Sequence, residues 1–357
     1  MDNTNRENVT HKDNTTHKRR THYSGKYPKK FEEKYKEHNP EKYSETIAHV
    51  IKKGNTPAGM HISICVNEIL EFFDIQPGQR GLDCTFGYGG HTGKMLEKLN
   101  KTGHIVALDV DPIESEKSKN RLALAGYGED VLSVELINFA QIDKIADKYG
   151  KFDFVLADLG VSSMQIDNPQ RGFSYKVDGP LDLRMNPHKG KSAAELLLEV
   201  DFEELVGLLM ENADEPYAEK IANAIITNRK RGQKIETTTA LRKIIENALD
   251  FLPKDNKKNE IAKSCQRTFQ ALRIEVNHEF EVLYELLEKL PSVLNPGGKV
   301  AILTFHSGED RLVKKSFKTL YNEGVYSEYS KEVIRPTREE CFNNPRAKCT
   351  KMRWAVK

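Results

Sequence analysis

The strongest constraint on the fold of this chain is a glycine-rich loop that follows a short strand-like run. Residues 81–84 form the run, and Gly87, Gly89 and Gly90 follow within a few positions. Backbone without a Cβ can turn sharply and approach a bound nucleotide closely. The next apolar run ends at Asp109, an acid that can accept hydrogen bonds from ribose hydroxyls. A loop and an acid in this order predict a cofactor that contains a nucleoside.

The loop departs from the strict dinucleotide fingerprint G-x-G-x-x-G, because Thr92 occupies the third glycine position. This departure disfavours a nicotinamide-dependent oxidoreductase and leaves the identity of the nucleoside open. A tight turn between a strand and a helix, with no ligand, is the structural alternative.

The five cysteines include no C-x-x-C pair. This pattern favours reduced thiols and predicts no zinc or other metal site. Cys84 lies beside the glycine loop, where a small buried apolar residue is a better interpretation than a nucleophile.

Strand-like apolar runs alternate with helical stretches over much of the chain, which predicts an α/β fold with a parallel sheet and helices on both faces. Ligands of such sheets bind beyond the carboxyl ends of the strands. Those ends carry the glycine loop, Asp109, Phe139, Asp158 and His306. The predicted strands are residues 81–84, 104–109, 131–137, 152–158 and 299–305.

The alternation stops after the fourth strand, where the pattern becomes helical. Ser192 and Asp201 each stand three residues before a glutamate and ahead of an apolar run, which predicts two helix starts. Apolar residues spaced by three and four over 269–290 predict one long amphipathic helix that leads back to the sheet. We therefore expect an all-helical insertion over residues 166–270. A tight turn at 295–298 and a closing antiparallel pair, 326–333 with 352–356, complete the prediction.

Residues 1–57 differ in composition from the rest of the chain. They carry 13 Lys or Arg against 8 Asp or Glu and have few aliphatic residues, which predicts a basic, disordered tail. Cations interleaved with aromatic residues suit contact with nucleic acid, although a solubilising tail would look the same. No run is long and apolar enough to cross a membrane, so we expect a cytoplasmic protein without a membrane partner.

Polar and aromatic residues cluster just after the fourth predicted strand. Arg171, Phe173, Tyr175 and Arg184 are candidates for binding RNA substrate, because aromatic faces stack on unpaired bases and arginines contact phosphate. The alternative is that the rings anchor a loop in the core and that the arginines are surface charge.

Separated motifs run in order from His61 to the C-terminus. They are His-Ile at 61–62, Gly-Gly-His at 89–91, Asp-Leu-Gly-Val-Ser-Ser at 158–163, Arg-Gly-Phe-Ser at 171–174, Gly-Pro-Leu-Asp-x-Arg-Met at 179–185, the run 267–274, Phe-His-Ser at 305–307 and Asn-Pro-Arg-Ala at 344–347. Together they resemble the motifs of one family, the bacterial small-subunit ribosomal RNA cytosine-N4 methyltransferases (RsmH, or MraW). The resemblance implies a class I, Rossmann-like methyltransferase domain over 58–165 and 271–357, with 166–270 as an RNA-recognition insertion. It also implies S-adenosyl-L-methionine as methyl donor and a cytidine in the decoding region of 16S rRNA, within the small ribosomal subunit, as target.

The resemblance also implies a set of cofactor contacts: Gly89, Gly90, His91, Asp109, Phe139, Asp158 and Gln165. For catalysis we expect Asp158, or a backbone carbonyl of residues 159–163, to accept a hydrogen bond from the cytosine amine. His306 and Ser307 are candidates to orient the base, with a structural histidine as the alternative for His306. No cysteine is expected to attack the pyrimidine ring.

Two departures from the family pattern bear on the choice of target. Gly308 stands where the family usually has leucine, and residues 212–215 read Asn-Ala-Asp-Glu instead of Tyr-Gly-Glu-Glu. The segment between Arg311 and Asn343 is also short. These differences fit a diverged second copy within one genome. Methylation of another RNA or of DNA, or a non-catalytic ribosome assembly factor on the same fold, are the alternatives. The oligomeric state is left open.

Overall fold

The computed structural model describes residues 63–357, which belong to one compact unit, His61–Lys357. The predicted tail, residues 1–57, lies outside the described residues. None of the described helices has the length and apolar character needed to cross a membrane.

One seven-stranded sheet forms the centre of the described chain. Its strands are β1 (Arg80–Asp83), β2 (His104–Asp109), β3 (Leu132–Leu136), β4 (Phe152–Asp158), β5 (Leu294–Thr304), β6 (Glu328–Tyr329) and β7 (Lys351–Val356). Their order is β3-β2-β1-β4-β5-β7-β6. Strands β1 to β5 pair in parallel, and β7 runs antiparallel to β5 and β6. The five predicted parallel strands and the antiparallel closing pair are confirmed.

The described helices are α1 (Val66–Phe73), α2 (Gly90–Leu99), α3 (Pro112–Leu124), α4 (Ile142–Tyr149), α5 (Ser163–Asp167), α6 (Ala193–Glu199), α7 (Phe202–Ala213), α8 (Ala218–Lys230), α9 (Thr238–Ala248), α10 (Lys254–Asn277), α11 (Glu279–Val293), α12 (Ser307–Asn322) and α13 (Arg338–Asn343), with 3-10 turns at Phe139–Gln141, Pro169–Arg171 and Pro345–Cys349. Helices such as α1, α2, α11 and α12 cover the two faces of this sheet.

Strand β4 shows how the sequence builds two cores. Phe154 and Leu156 pack with α1 and α2 on one face, whereas Val155 and Ala157 pack with α11 and α12 on the other. Successive side chains of a strand point to opposite faces, so a fully apolar run fits a strand that is covered on both sides. The predicted class I, Rossmann-like α/β fold is confirmed.

Helices α6 to α10 lie between β4 and β5 and share a hydrophobic cluster of their own. Both predicted helix starts are present: Ser192 forms a capping box with Glu195, and the Asp201 side chain accepts a hydrogen bond from the Glu204 N–H. The division into a methyltransferase domain and an insertion over 166–270 stays a prediction.

The single long helix predicted over 269–290 is wrong. Helix α10 ends at Asn277 and α11 begins at Glu279, because His278 adopts a left-handed conformation with φ 52° and ψ 42°. The predicted turn at 295–298 is a bulge within β5. Phe152 of β4 pairs with Leu294 of β5, whereas Phe154, two residues later, pairs with Lys299, so β5 carries extra residues between the two pairs.

Candidate active site

A cavity of about 840 Å³ opens at the carboxyl edge of the parallel strands. Its walls come from the ends of β1, β2 and β4, the segment after β3, and residues 185–190 and 273–283. All seven residues predicted to contact the cofactor line it: Gly89, Gly90, His91, Asp109, Phe139, Asp158 and Gln165.

The glycine loop is shaped by its own protein neighbours. Gly89 has φ +70°, and a Cβ there would lie 2.9 Å from the Phe86 ring. A Cβ on Gly90 would lie 2.1 Å from the Ser63 hydroxyl. Thr92, the residue that breaks the dinucleotide pattern, donates a hydrogen bond of 2.6 Å to Asp83. These glycines are therefore required by packing within the protein, whatever the loop binds.

Asp109 lies at the end of β2 and is held by backbone donors. It accepts hydrogen bonds from the N–H groups of Gly87 at 2.6 Å and Asp111 at 2.8 Å. Burial raises the pKa of its carboxyl to about 6. Its neighbour Glu114 is buried, lines the cavity and has an Oε2 atom with no hydrogen-bond partner among the described residues. Two acceptors thus face the cavity near the end of β2.

Asp158 ends β4, and its two carboxylate oxygens have different surroundings. Oδ2 lies 3.6 Å from Nδ1 of His91, whose Nε2 donates to the Ile64 carbonyl at 2.9 Å. Oδ1 is buried and has no hydrogen-bond partner within the described chain. Thr85 accepts a hydrogen bond of 2.7 Å from the Asp158 N–H, which fixes the strand end. Burial raises the pKa of the Asp158 carboxyl to about 6.

Asp111 joins the cofactor side of the cavity to the start of the insertion. Its Oδ1 caps α3, and its Oδ2 accepts hydrogen bonds from Gln165 at 2.8 Å and Arg171 at 2.6 Å. Arg171 also donates to the carbonyls of Arg184 and Met185. The Gln165 amide is thus used within the protein, although the residue lines the cavity.

The four predicted substrate residues do not line the cavity. The prediction that Arg171 contacts RNA phosphate is wrong, because its guanidinium is buried and used by Asp111 and two carbonyls. Phe173 and Tyr175 pack against the cluster of the insertion, with Tyr175 edge-on to Phe269, which favours the loop-anchoring alternative. Arg184 pairs with Asp182 at 2.7 Å. Contact of these last three with RNA stays a prediction.

His306 and Ser307 also lie outside the cavity wall. His306 Nε2 is 3.2 Å from Oε1 of Glu309, and its ring packs against Phe280. Ser307 is exposed. Packing explains the glycine at position 308, because a Cβ there would lie 2.7 Å from the Phe280 ring. The role of His306 and Ser307 in catalysis stays a prediction.

Sequence reasoning missed a charged part of the cavity wall. Arg273 forms a half-buried bidentate pair with Glu279, at 2.7 and 2.8 Å, and Glu309 accepts a hydrogen bond from the Phe305 N–H. Glu279, His306 and Glu309 lie close enough to share a cation, but the Arg273 guanidinium already neutralises Glu279. The run 267–274 contains Arg273, and the Phe-His-Ser motif lies just before Glu309, so these two motifs could have indicated the charged residues.

Two cysteines, Cys84 and Cys349, line the cavity. The expectation that no cysteine attacks the pyrimidine ring stays a prediction. Cys84 is buried, and burial raises the pKa of its thiol well above the usual value, which suppresses the nucleophilic thiolate. Cys349 is exposed at the opposite wall.

A comparison with known protein families identifies the family of this chain. The sequence model of the MraW methylase family matches residues 58–357. The chain belongs to this family. It is therefore a methyltransferase, and the predicted family and enzyme class are confirmed.

Named relatives of this MraW family member match over almost its whole length. It is 68% identical over 339 residues to "Ribosomal RNA small subunit methyltransferase H 1" of Agathobacter rectalis, covering 95% of this chain and 97% of the relative. It is 60% identical over 339 residues to "Ribosomal RNA small subunit methyltransferase H 2" of Alkaliphilus metalliredigens, covering 95% and 97%. The numbers in these names are consistent with the second-copy prediction.

Solved structures with some similarity include an rRNA methylase from Streptococcus thermophilus, at 11% identity and a TM-score of 0.38, covering 84% of this chain and 99% of that one. An SAM-dependent O-methyltransferase of Thermotoga maritima is 10% identical with a TM-score of 0.38, covering 84% and 67%.

The cavity of this methylase fits the predicted cofactor. The carboxylates of Asp109 and Glu114 at the cavity wall suit ribose hydroxyls, and Leu136, Ile137 and Phe139 give an apolar wall for a base. As a MraW methylase on a class I sheet, the chain uses S-adenosyl-L-methionine as its methyl donor.

Proposed function

We propose that this protein methylates the N4 amine of a cytidine in the decoding region of 16S rRNA, in the small ribosomal subunit in the cytoplasm. The observation that carries the proposal is the Asp158 carboxylate, which lines the cavity together with the other six predicted cofactor residues; its side chain is 20% exposed there, and its buried Oδ1 has no hydrogen-bond partner among the described residues. The printed names of the two relatives, which specify small-subunit ribosomal RNA, support the choice of substrate.

The chemistry of a cytosine amine explains why such an acceptor is needed. The amine is a weak nucleophile, because its lone pair is delocalised into the ring. Bound S-adenosyl-L-methionine supplies an electrophilic methyl group on a sulfonium sulfur. The protein must therefore position the base and accept a hydrogen bond from the amine as positive charge develops on its nitrogen.

Asp158 is held in place for that task. The Thr85 hydroxyl holds the strand end through the Asp158 N–H, and His91 Nδ1 lies 3.6 Å from Oδ2, at the partly exposed side of the carboxylate. A pKa of about 6 keeps the carboxyl mostly ionised at neutral pH, while still making it a better base than an exposed aspartate. Asp109 and Glu114 would hold the ribose on the other side of the glycine loop.

Nucleoside mass spectrometry of 16S rRNA tests the proposal. Cells that lack the gene should lose N4-methylcytidine from one mapped fragment, and the wild-type gene should restore it. Asp158→Asn should fail to restore it while still binding S-adenosyl-L-methionine. Asp153→Asn is the matched control, because Asp153 lies at the opposite end of the same strand and hydrogen-bonds Arg80 and Asn295 there.

Other results would separate the alternatives. Unchanged N4-methylcytidine in rRNA, with methyl transfer to another nucleic acid, would refute the target. Binding of small subunits without any methyl transfer would instead identify an assembly factor.

A further inference from the structure

Helix α12 carries an exposed row of four cations that the chemistry of the cavity does not use. Arg311, Lys314, Lys315 and Lys318 are all exposed and are spaced by three and four residues, so they share one face of the helix. The opposite face carries Val313 and Phe317, which are buried against the sheet. We call these four residues the α12 basic row.

The charges of the basic row are uncompensated within the described part of the chain. None of its members forms an ion pair with any residue in 63–357, whereas Lys94, Lys148 and Lys263 each pair with a nearby glutamate. Other exposed lysines, such as Lys98 and Lys151, are also unpaired in this range, so what distinguishes the row is that four unpaired cations share one helix face. Like charges at this helical spacing repel one another. The row therefore does not stabilise the helix that bears it, and a negatively charged partner would relieve the repulsion.

The position of α12 connects the row to the active site. The helix begins at Ser307, between Phe305 and Glu309, which both line the cavity. At 1.5 Å per residue, the row extends from about 6 to about 16 Å along the helix axis from that start. Phosphates of one strand in a nucleic acid duplex are about 3.4 Å apart along its axis, so a row about 10 Å long matches roughly three phosphates.

We propose that the α12 basic row binds the phosphate backbone of the RNA that carries the target nucleotide. Three of the four cations are lysines, which act as point charges towards phosphate and read no base sequence. The row would thus hold the strand in register with the cavity, whereas the cavity selects the base. This inference rests on the proposed function, because it takes RNA to be the substrate.

The inference is tested by measuring how the affinity of the full-length protein for small subunits that lack the modification depends on salt concentration. Lys314→Gln combined with Lys318→Gln removes two charges and keeps good helix formers. The slope of log affinity against log salt should fall by about 0.7 for each cation removed if the strand is single-stranded. Affinity at moderate salt should fall roughly tenfold, while cofactor affinity and the thermal midpoint should not fall.

The matched control is Lys98→Gln combined with Lys151→Gln. Both lysines are exposed: Lys98 lies in the last turn of α2 and Lys151 directly precedes β4, so both are at the end of the sheet opposite the cavity. We expect this control to bind RNA like the wild type. Equal salt slopes for the row variant, the control and the wild type would overturn the inference.

The result is separable from the proposed function, because binding is measured without turnover. If the wild type methylates cytidine N4 and the row variant keeps full affinity, the row inference fails and the proposed function stands. If the wild type shows no methyl transfer but the row variant alone loses RNA affinity and salt slope, the proposed function fails and the row inference stands.

Discussion

Arg171→Met is expected to destabilise the protein and to loosen one wall of the active site. The guanidinium donates to Asp111 Oδ2 at 2.6 Å and to the carbonyls of Arg184 at 3.1 Å and Met185 at 2.7 Å. The side chains of both Arg171 and Asp111 are buried, at 7% and 1% exposure. Met185 begins the segment of the insertion that lines the cavity, so loss of the arginine would free that segment from the cofactor side.

The magnitude follows from the three lost hydrogen bonds. A hydrogen bond to a charged group contributes about 1.5–3 kcal/mol, and a buried carbonyl left without a donor costs about 1 kcal/mol or more. The total agrees with the roughly 3–5 kcal/mol lost when one partner of a buried ion pair is removed. Gln165 still donates to Asp111 Oδ2, so we expect a loss near the lower end. Domains have about 5–15 kcal/mol of stability, so the variant should remain folded.

Urea unfolding of single and double variants measures this coupling. Asp111→Asn keeps a good helix cap but removes the charge. The double variant Arg171→Met, Asp111→Asn should therefore lose less free energy of unfolding than the sum of the losses in the two single variants, by at least about 1 kcal/mol. Arg242→Met is the control, since its pair with Glu246 is exposed and should contribute less than about 1 kcal/mol. Strict additivity, or a loss below about 1 kcal/mol for Arg171→Met, would refute the reasoning.

Three further predictions concern the cavity. Asp109→Ala should weaken S-adenosyl-L-methionine binding by about 1–3 kcal/mol, because the ribose loses a charged acceptor; unchanged affinity by calorimetry would exclude the ribose assignment. Burial raises the pKa of Asp158 to about 6, so the single-turnover rate of methyl transfer should fall as the pH is lowered through about 6 and the carboxylate gains a proton. Asp158→Asn should abolish this fall in rate. A flat wild-type pH profile would argue against Asp158 as the acceptor. Gly308→Leu should lower the free energy of unfolding by about 1–3 kcal/mol, because the leucine side chain overpacks against Phe280. Adding Phe280→Ala should restore much of that stability. Equal thermal midpoints for the wild type and Gly308→Leu would contradict the packing account.

The fold was largely predictable because its signals are local. Each parallel strand is a short apolar run with a break at its end, and the edge that binds ligand follows from the direction of the strands. The break at His278 was not predictable in this way. Apolar residues keep their helical spacing through it, and the left-handed residue is a histidine instead of a glycine.

The site was predictable on the cofactor side and less so on the substrate side. Residues such as Asp109 and Asp158 are placed by the strand ends themselves. Arg171 shows the limit: its sequence context indicates a cation near the site, but its counter-ion, Asp111, lies 60 positions earlier in the chain. Only the folded arrangement decides whether such a charge is free for RNA or used within the protein.

The charge balance around the cavity supports Asp158 as the acceptor over its neighbours. Glu279 is matched by Arg273, and Glu309 by His306 and backbone N–H groups. The Arg273 guanidinium and the backbone N–H groups stabilise the ionised forms of these two carboxylates and occupy part of their capacity to accept another donor. Asp158 differs, because no described residue donates a hydrogen bond to its buried Oδ1, and His91 Nδ1 stays 3.6 Å away from its Oδ2. An amine that enters the cavity would therefore find at Asp158 a carboxylate whose capacity to accept hydrogen bonds the described chain leaves unused.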